Sequence, residues 1–236
     1  MQRVPADEES RALLRKIVEG HAWRQLMLAN IRGHGIKYLP EVEQKLASVE
    51  RLAQVLPLMH GVTALYAEID GGDVVSAVRD RMERIPYPGS RLELAVCLFL
   101  CMRAERHALE SYADCSVSSA LVELTRARLA DVSSGDLPRD PVFVDYCAEP
   151  ANRPHAQQML NRWLALCLVA LGRPGSLGDQ RAVELGLRSR RVADITAEFL
   201  SGLAPFLAAT GLVVPDADAL GVELPRSTPK AAVRAR

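Results

Sequence analysis

The sequence predicts an all-α protein, and three observations support this. Helix-favouring alanine, leucine, arginine and glutamate dominate the 236 residues, whereas aromatic residues make up only 5%. Apolar residues recur at three- and four-residue steps between glycine and proline breaks, as on the buried face of a helix. No run of four or more residues alternates cleanly between apolar and polar side chains, so we expect no β-sheet.

Caps and breaks divide the chain into predicted helices. Asp7, Ser90 and Asp179 are expected to be N-caps, and Gly33–Gly35 is expected to be a break or a strong kink. Pro150 and Pro154 are expected to interrupt the helix that contains them. The predicted helices are Ala6–Gly33, Pro40–Asp70, Asp73–Ile85, Ser90–Asp114, Ser116–Ala130, Asp140–Leu171 and Asp179–Thr210.

The predicted architecture is an antiparallel four-helix bundle with extra helices. Its four long helices are Ala6–Gly33, Pro40–Asp70, Ser90–Asp114 and Asp140–Leu171, joined by short breaks. The segment Leu92–Leu109 is the most apolar, so we expect it to be the central helix of the core. Residues 1–214 are predicted to form this domain, and residues 215–236 to form a flexible tail in which apolar residues are sparse.

Charge and composition exclude several classes of function. Lysine plus arginine equals aspartate plus glutamate, 29 each, so no net charge attracts the chain to nucleic acid or to an anionic membrane. The longest apolar stretches fall short of the ~20 residues of a membrane span, and the N-terminus resembles no secretory signal. Five cysteines without a disulfide or CxxC spacing indicate a reducing compartment, so we expect a cytoplasmic protein. Its neutrality favours a homo-oligomer or a hetero-oligomer with another helical subunit.

A di-iron helical bundle would require Glu-x-x-His motifs on two helices and single glutamates on two others. The chain contains no Glu-x-x-His. Three side chains remain as candidate metal ligands: His60 in the second predicted helix, Glu93 near the start of the most apolar helix, and His155 before an apolar run. The alternative is structural for each: His60 would be a hydrogen-bonded core histidine, His155 part of a helix start, and Glu93 a complement to its helix dipole.

The segments Tyr38–Glu43 and Met59–Tyr66 resemble the second helix of the phenylacetate-catabolism oxygenase family, whose members are ferritin-like subunits of phenylacetyl-CoA epoxidase. The resemblance covers residues 20–172. It implies a ferritin-like bundle, a di-iron site with His60 and His155 as the histidine ligands, and Glu93 as a bridging-type carboxylate. The implied cofactor is iron.

This chain departs from the family pattern. The two Glu-x-x-His glutamates are replaced by Pro57 and Asn152, and Leu26–Arg32 carries no carboxylate. Iron in these oxygenases has carboxylate-rich ligation. We therefore expect a catalytically degenerate protein that acts as a structural or regulatory partner of another subunit, with no metal or with iron or another divalent metal in an altered site.

Two other functions stay open on the sequence. A metal-dependent oxidoreductase would use His60, His155, Glu93 and His34 in a histidine-rich site. A helical adaptor unrelated to oxygenases would be favoured if the two candidate histidines lay on the surface.

Several smaller features are expected to be structural. Cys97 and Cys101 with His107 could hold a soft metal, but His107 lies on a different helix face. The charged run Arg103–Glu110 is interpreted as a solvated face. The arginines of Arg188–Arg191 could bind an anion, but an exposed helix face is the simpler interpretation.

Overall fold

The computed structural model describes residues 2–70, 72–130, 132 and 135–221, and these form an all-α structure with no strand among them. The helices, numbered in chain order, are α1 (Glu8–Gly35), α2 (Val42–Ala53), α3 (Val55–Asp70), α4 (Val74–Met82), α5 (Arg91–Glu110), α6 (Ser119–Leu129), α7 (Val142–Ala148), α8 (Arg153–Leu171), α9 (Leu177–Glu184), α10 (Val192–Ser201), α11 (Ala204–Thr210) and α12 (Ala217–Leu220). Short 3₁₀ turns follow α1 and precede α8.

Two predicted N-caps are confirmed. The Asp7 carboxylate accepts a hydrogen bond from the Ser10 N–H at 2.7 Å, and the Ser90 hydroxyl accepts one from the Glu93 N–H at 3.2 Å. Each satisfies a backbone donor that the first helical turn leaves without an intrahelical partner. The expected break at Gly33–Gly35 is confirmed, because α1 continues through His34 and ends at Gly35, where a short 3₁₀ turn follows.

The most apolar helix is the centre of the fold, as predicted. α5 contacts α1, α6, α7, α8 and α10, and its most extensive contact is with α8. Val96, Cys97 and Leu100 of α5 are completely buried. The helices α3 and α4 also pack against α1. The helix α6 contacts both α3 and α5.

The predicted helix Pro40–Asp70 is two helices with a break at Gln54. Pro57 lies three residues after the break and has no N–H to donate to the carbonyl of Ala53. The backbone of Gln54 keeps helical angles, and its N–H still donates to the Glu50 carbonyl at 3.2 Å. The break is therefore slight, and the α2 side-chain faces continue into α3.

The predicted helix Asp140–Leu171 is also divided, at Glu149–Asn152. Pro154 is the second residue of α8, where a proline costs no hydrogen bond. It therefore starts a new helix instead of kinking a continuous one. Glu149, and not Asn152, caps this region by accepting from the Ala151 N–H.

The prediction of one helix from Asp179 to Thr210 is wrong. The chain forms α9, α10 and α11, and Ser176 is the cap of α9. Gly186 turns the chain with a φ of +72°, a conformation that side chains disfavour. Asp179 is buried, and its carboxylate accepts from Arg188 Nη1 and from the Val192 N–H, both at 2.9 Å. The prediction of an exposed helix face at Arg188 is also wrong, because this guanidinium is buried.

The segment predicted to be a flexible tail is described as far as Gly221. Within it, α12 packs against α8 and buries Leu220. Residues 222–236 of the predicted tail lie outside the described residues.

The segment Val192–Thr210 is long and apolar enough to cross a membrane by length and composition, which alone is a weak indication. Ile195, Phe199 and Phe206 of this segment are fully buried within the protein.

Candidate functional site

Glu93, the predicted carboxylate ligand, lies in the first turn of α5 and is almost fully buried. Its Oε2 accepts from the Gly89 N–H at 2.6 Å, and its Oε1 accepts from Arg162 Nη1 at 2.8 Å. Both carboxylate oxygens thus stabilise the N-terminus of α5 and join it to α8. This is the structural role that the sequence offered as its alternative.

The two predicted histidine ligands lie on the surface. His60 is exposed on α3, and His155 is exposed in the first turn of α8. The His155 ring lies 3.1 Å from the Tyr146 hydroxyl, measured from Nδ1. Within the described ranges, no group of three or more His, Cys, Asp or Glu side chains could hold a metal ion. His60, His155 and Glu93 are therefore not brought together, and a metal at any of them remains a prediction.

Cys97 and Cys101 pack against a third thiol. Cys101 and Cys167 have their sulfurs 3.7 Å apart, and all three side chains are buried. Burial raises the pKa of Cys97 and of Cys167, because a thiolate loses its hydration there. His107 does not join these thiols: its Nδ1 lies 3.8 Å from Glu110 Oε2 and 3.9 Å from Glu198 Oε2. The thiols thus form part of the apolar core.

The interior contains a polar cluster that the sequence analysis missed. Glu105, expected on a solvated face, is only 1% exposed, and its carboxylate accepts from Arg128 Nη2 at 2.8 Å and from Arg128 Nε at 3.2 Å. The Gln25 amide of α1 donates to the same carboxylate. Arg128 thus supplies the positive charge that compensates this buried carboxylate.

His21 lies in the same part of the interior, one turn before Gln25 on α1, and is 2% exposed. Burial, reinforced by the charges of Arg24 and Arg128, lowers the pKa of His21 to about 3. Neither ring nitrogen has a hydrogen-bond partner among the described residues. The imidazole is therefore neutral at physiological pH.

An apolar stripe faces outward along α2 and the start of α3. Val42, Leu46, Val49 and Leu56 are 63, 58, 51 and 64% exposed. Ala53 and His60 are exposed as well. These six residues, called the outer stripe below, follow one another at steps of four, three, four, three and four. That is the heptad spacing by which two helices pack along a shared seam.

The helix α2 is strongly amphipathic, yet none of its residues is buried. Lys45 and Glu50 flank the stripe on opposite sides, and neither forms an ion pair within the part of the chain that the structure describes. Monomeric proteins rarely expose contiguous apolar patches of this kind without a partner. The outer stripe is therefore the candidate functional site.

Comparison with known proteins leaves this surface as the main guide to function. No protein-family model matches the chain, and no curated protein sequence matches it significantly. The resemblance to the phenylacetate-catabolism oxygenases therefore remains a prediction.

Proposed function

We propose that this protein is a helical adaptor that acts by pairing helices through the outer stripe. The observation that carries the proposal is the exposure of Val42, Leu46, Val49 and Leu56 at heptad spacing. The surface position of His60 and His155 supports it, since this favours an adaptor over an oxygenase. A structural or regulatory partner, expected from the family resemblance, would act through the same surface.

The occupant we infer is a second copy of the chain, aligned in parallel. With Leu46 and Ala53 at heptad position a and Val42, Val49 and Leu56 at position d, Lys45 lies at g and Glu50 at e. In a parallel pair, g of one helix faces e of the next heptad of its partner, so Lys45 meets Glu50 twice. In an antiparallel pair, the e positions Glu43 and Glu50 would repel each other.

A membrane surface is a poorer occupant for the outer stripe. Helices that lie on anionic membranes carry lysine and arginine beside their apolar face. Here Glu41, Glu43 and Glu50 flank the stripe and are all exposed. Their charge disfavours anionic lipid headgroups and leaves a protein partner as the better match.

Sedimentation velocity tests this assembly. We expect a dimer that dissociates on dilution, because the stripe contributes fewer than the roughly 20–30 residues per side of a standard interface. Leu46→Glu and Val49→Glu should each give a monomer. Val75→Glu, on α4 and 45% exposed, is the matched control and should leave the dimer intact.

Charge reversal tests the parallel alignment. Glu50→Lys should weaken the dimer, because Lys45 then faces a lysine, and adding Lys45→Glu should restore it. A wild-type chain that stays monomeric at its highest soluble concentration would overturn the homodimer. Failure of the double variant to restore association would overturn the parallel alignment.

The ferritin-like bundle and its altered metal site remain predictions beside this proposal. α1, α3, α5 and α8 are the helices that would form such a bundle. Plasma mass spectrometry after growth with iron and manganese tests the metal-dependent oxidoreductase. We expect metal well below one ion per chain, because the predicted ligands do not converge. About one ion or more, lost in His60→Ala and His155→Ala, would instead support the oxidoreductase.

A further inference from the structure

Two adjoining clefts lie beneath α2, on the side opposite to the outer stripe. Their volumes are about 230 and about 120 Å³. They share Arg51, Leu98, Arg139 and Asp140, and together we call them the arginine pocket. Arg32 and Leu94 also line the larger cleft, and Phe99 and Met102 line the smaller one.

Three arginines of the pocket have no carboxylate partner among the described residues. Arg32 is only 4% exposed, and its hydrogen-bond acceptor there is the Met102 sulfur at 3.0 Å, a weak acceptor. Arg51 and Arg139 form no ion pair in this part of the chain. The one carboxylate in the wall, Asp140, is already bound by Arg91, at 2.7 and 3.0 Å.

Two other buried arginines of this protein are paired with carboxylates, whereas Arg24, within the described part of the chain, donates only to the Ala170 carbonyl at 3.3 Å. Arg128 and Arg188 are as buried as Arg32, yet each contacts a carboxylate, at 2.8 and 2.9 Å. A buried guanidinium is costly unless hydrogen bonds and an opposite charge compensate it. Among the described residues, Arg32, like Arg24, lacks the carboxylate that compensates Arg128 and Arg188, and of these two arginines only Arg32 lines the pocket.

Burial and neighbouring positive charges lower the pKa of two arginines in the pocket. Burial, and then the nearby charges of Arg128, Arg51 and Arg139, lower the pKa of Arg32 to about 10. Burial and the charge of Arg139 lower the pKa of Arg51. An anion in the pocket would relieve this repulsion and accept charge-assisted hydrogen bonds from the guanidinium groups.

Most of the remaining wall is apolar, although Gln44 and Ser48 line the larger cleft and Arg103 lines the smaller one. Leu94 and Leu98 lie beside the arginines, and Phe99 and Met102 extend this surface into the smaller cleft. A free inorganic anion would leave the apolar wall without a contact, whereas a purely apolar molecule would leave the arginines unpaired. We propose that the arginine pocket binds a small organic anion, with a phosphate or carboxylate head held by Arg32, Arg51 and Arg139 and an apolar tail against Leu94 and Leu98.

Isothermal titration calorimetry on the full chain tests this proposal with four probes. Octyl phosphate and octanoate carry a head and a tail, whereas inorganic phosphate lacks the tail and octanol lacks the charge. We expect the two amphiphilic anions to bind, and the other two probes to bind at least roughly tenfold more weakly. The stronger of octyl phosphate and octanoate identifies the head group.

Variants locate the binding. Arg51→Gln and Arg139→Gln should each weaken the better probe roughly tenfold, the effect of one charge-assisted hydrogen bond. Arg84→Gln, at an exposed arginine outside the pocket, is the matched control and should change nothing. Arg32→Met should weaken binding most, and its thermal unfolding shows whether it remains folded.

Three results would overturn the proposal: no heat with either amphiphilic anion, equal binding of octanol, or unchanged affinity in both Arg51→Gln and Arg139→Gln. Arg51 and Arg139 lie outside the outer stripe, so these measurements do not depend on dimer formation. A monomeric protein that binds octyl phosphate would overturn only the homodimer.

Discussion

Arg128 of α6 and Glu105 of α5 form a bidentate ion pair inside the protein, with N–O distances of 2.8 and 3.2 Å. Their side chains are 4% and 1% exposed, so water screens this pair very little. Gln25 of α1 donates to the same carboxylate, and the cluster therefore joins three helices. Removal of either charge leaves its partner buried without compensation.

Loss of one member of this pair should be strongly destabilising. We expect Glu105→Gln and Arg128→Met each to lower the free energy of unfolding by about 3–5 kcal/mol, the usual effect of breaking a buried pair. The double variant Glu105→Leu/Arg128→Met should cost less than either single variant, because it leaves no isolated charge. Urea denaturation followed by circular dichroism measures all three. Single-variant losses below about 1 kcal/mol would contradict this account.

The α1 sequence shows what periodicity could have revealed. Six buried residues follow one another along α1 at steps of four and three: Leu14, Val18, His21, Gln25, Leu28 and Arg32. The same spacing that predicts the buried stripe of α1 therefore places three polar residues in the core. A search for Glu-x-x-His alone passes over them, because the buried carboxylate comes from α5 and has an arginine as its partner.

The α2 sequence shows the limit of the same reasoning. Its apolar residues recur with helical spacing, and the helix begins within a few residues of the predicted start. However, Leu46 and Val49 face outward. Spacing determines which side chains share a face, but the contacts of the whole helix determine whether that face meets the core. The sequence could not predict the arginine pocket either, because Arg32, Arg51 and Arg139 are distant in sequence.

His21 should make the folded state sensitive to acid. Its pKa is about 3 in the fold and near 6.5 in the unfolded chain, so only the unfolded chain takes up a proton between these values. Stability should therefore fall as the pH drops below 6.5, by roughly 1.4 kcal/mol per pH unit. Urea denaturation at pH 7.5 and pH 5 should show a loss in wild type that exceeds the loss in His21→Leu by about 2 kcal/mol.

His60→Gln is the control for that comparison, because its ring is exposed in the fold and glutamine adds no apolar side chain to the outer stripe. This variant should keep the wild-type difference between the two pH values. Equal acid sensitivity of wild type and His21→Leu would show that His21 becomes protonated inside the folded protein.

The five thiols should be inert until the protein unfolds. All five cysteines are free and buried. Burial raises the pKa of Cys97, Cys147 and Cys167, which lowers the fraction of reactive thiolate. Hydrogen bonds from Cys167 and Cys97 lower the pKa of Cys101 to about 5, but this sulfur is protected because the residue is only 1% exposed. We expect a disulfide reagent such as dithionitrobenzoate to label no cysteine of the native protein faster than unfolding, and five cysteines in denaturant. Rapid labelling of one native thiol would show an opening that reaches the core.

Two helical glycines of α1 should respond in opposite ways to alanine. At Gly35, an added Cβ would lie 2.4 and 2.8 Å from the two methyl carbons of Leu94, which is itself buried. Gly35→Ala should therefore destabilise the protein by about 1–3 kcal/mol through overpacking. At Gly20 the nearest atom would be Arg24 Nη1 at 3.5 Å, an ordinary contact. Gly20→Ala should thus gain about 0.5–1 kcal/mol from helix propensity.

Thermal and urea unfolding of the two variants measure this contrast. Leu94→Ala removes the methyl groups that clash, so the double variant Gly35→Ala/Leu94→Ala should lose less than the sum of the two single losses. Additive losses would place the cost of Gly35→Ala in the helix end itself. Coupling of about 1 kcal/mol or more would locate it at the contact between α1 and α5. Leu94 also lines the arginine pocket. Calorimetric titration of the same variants with octyl phosphate therefore tests whether the packing of this contact sets the shape of the pocket.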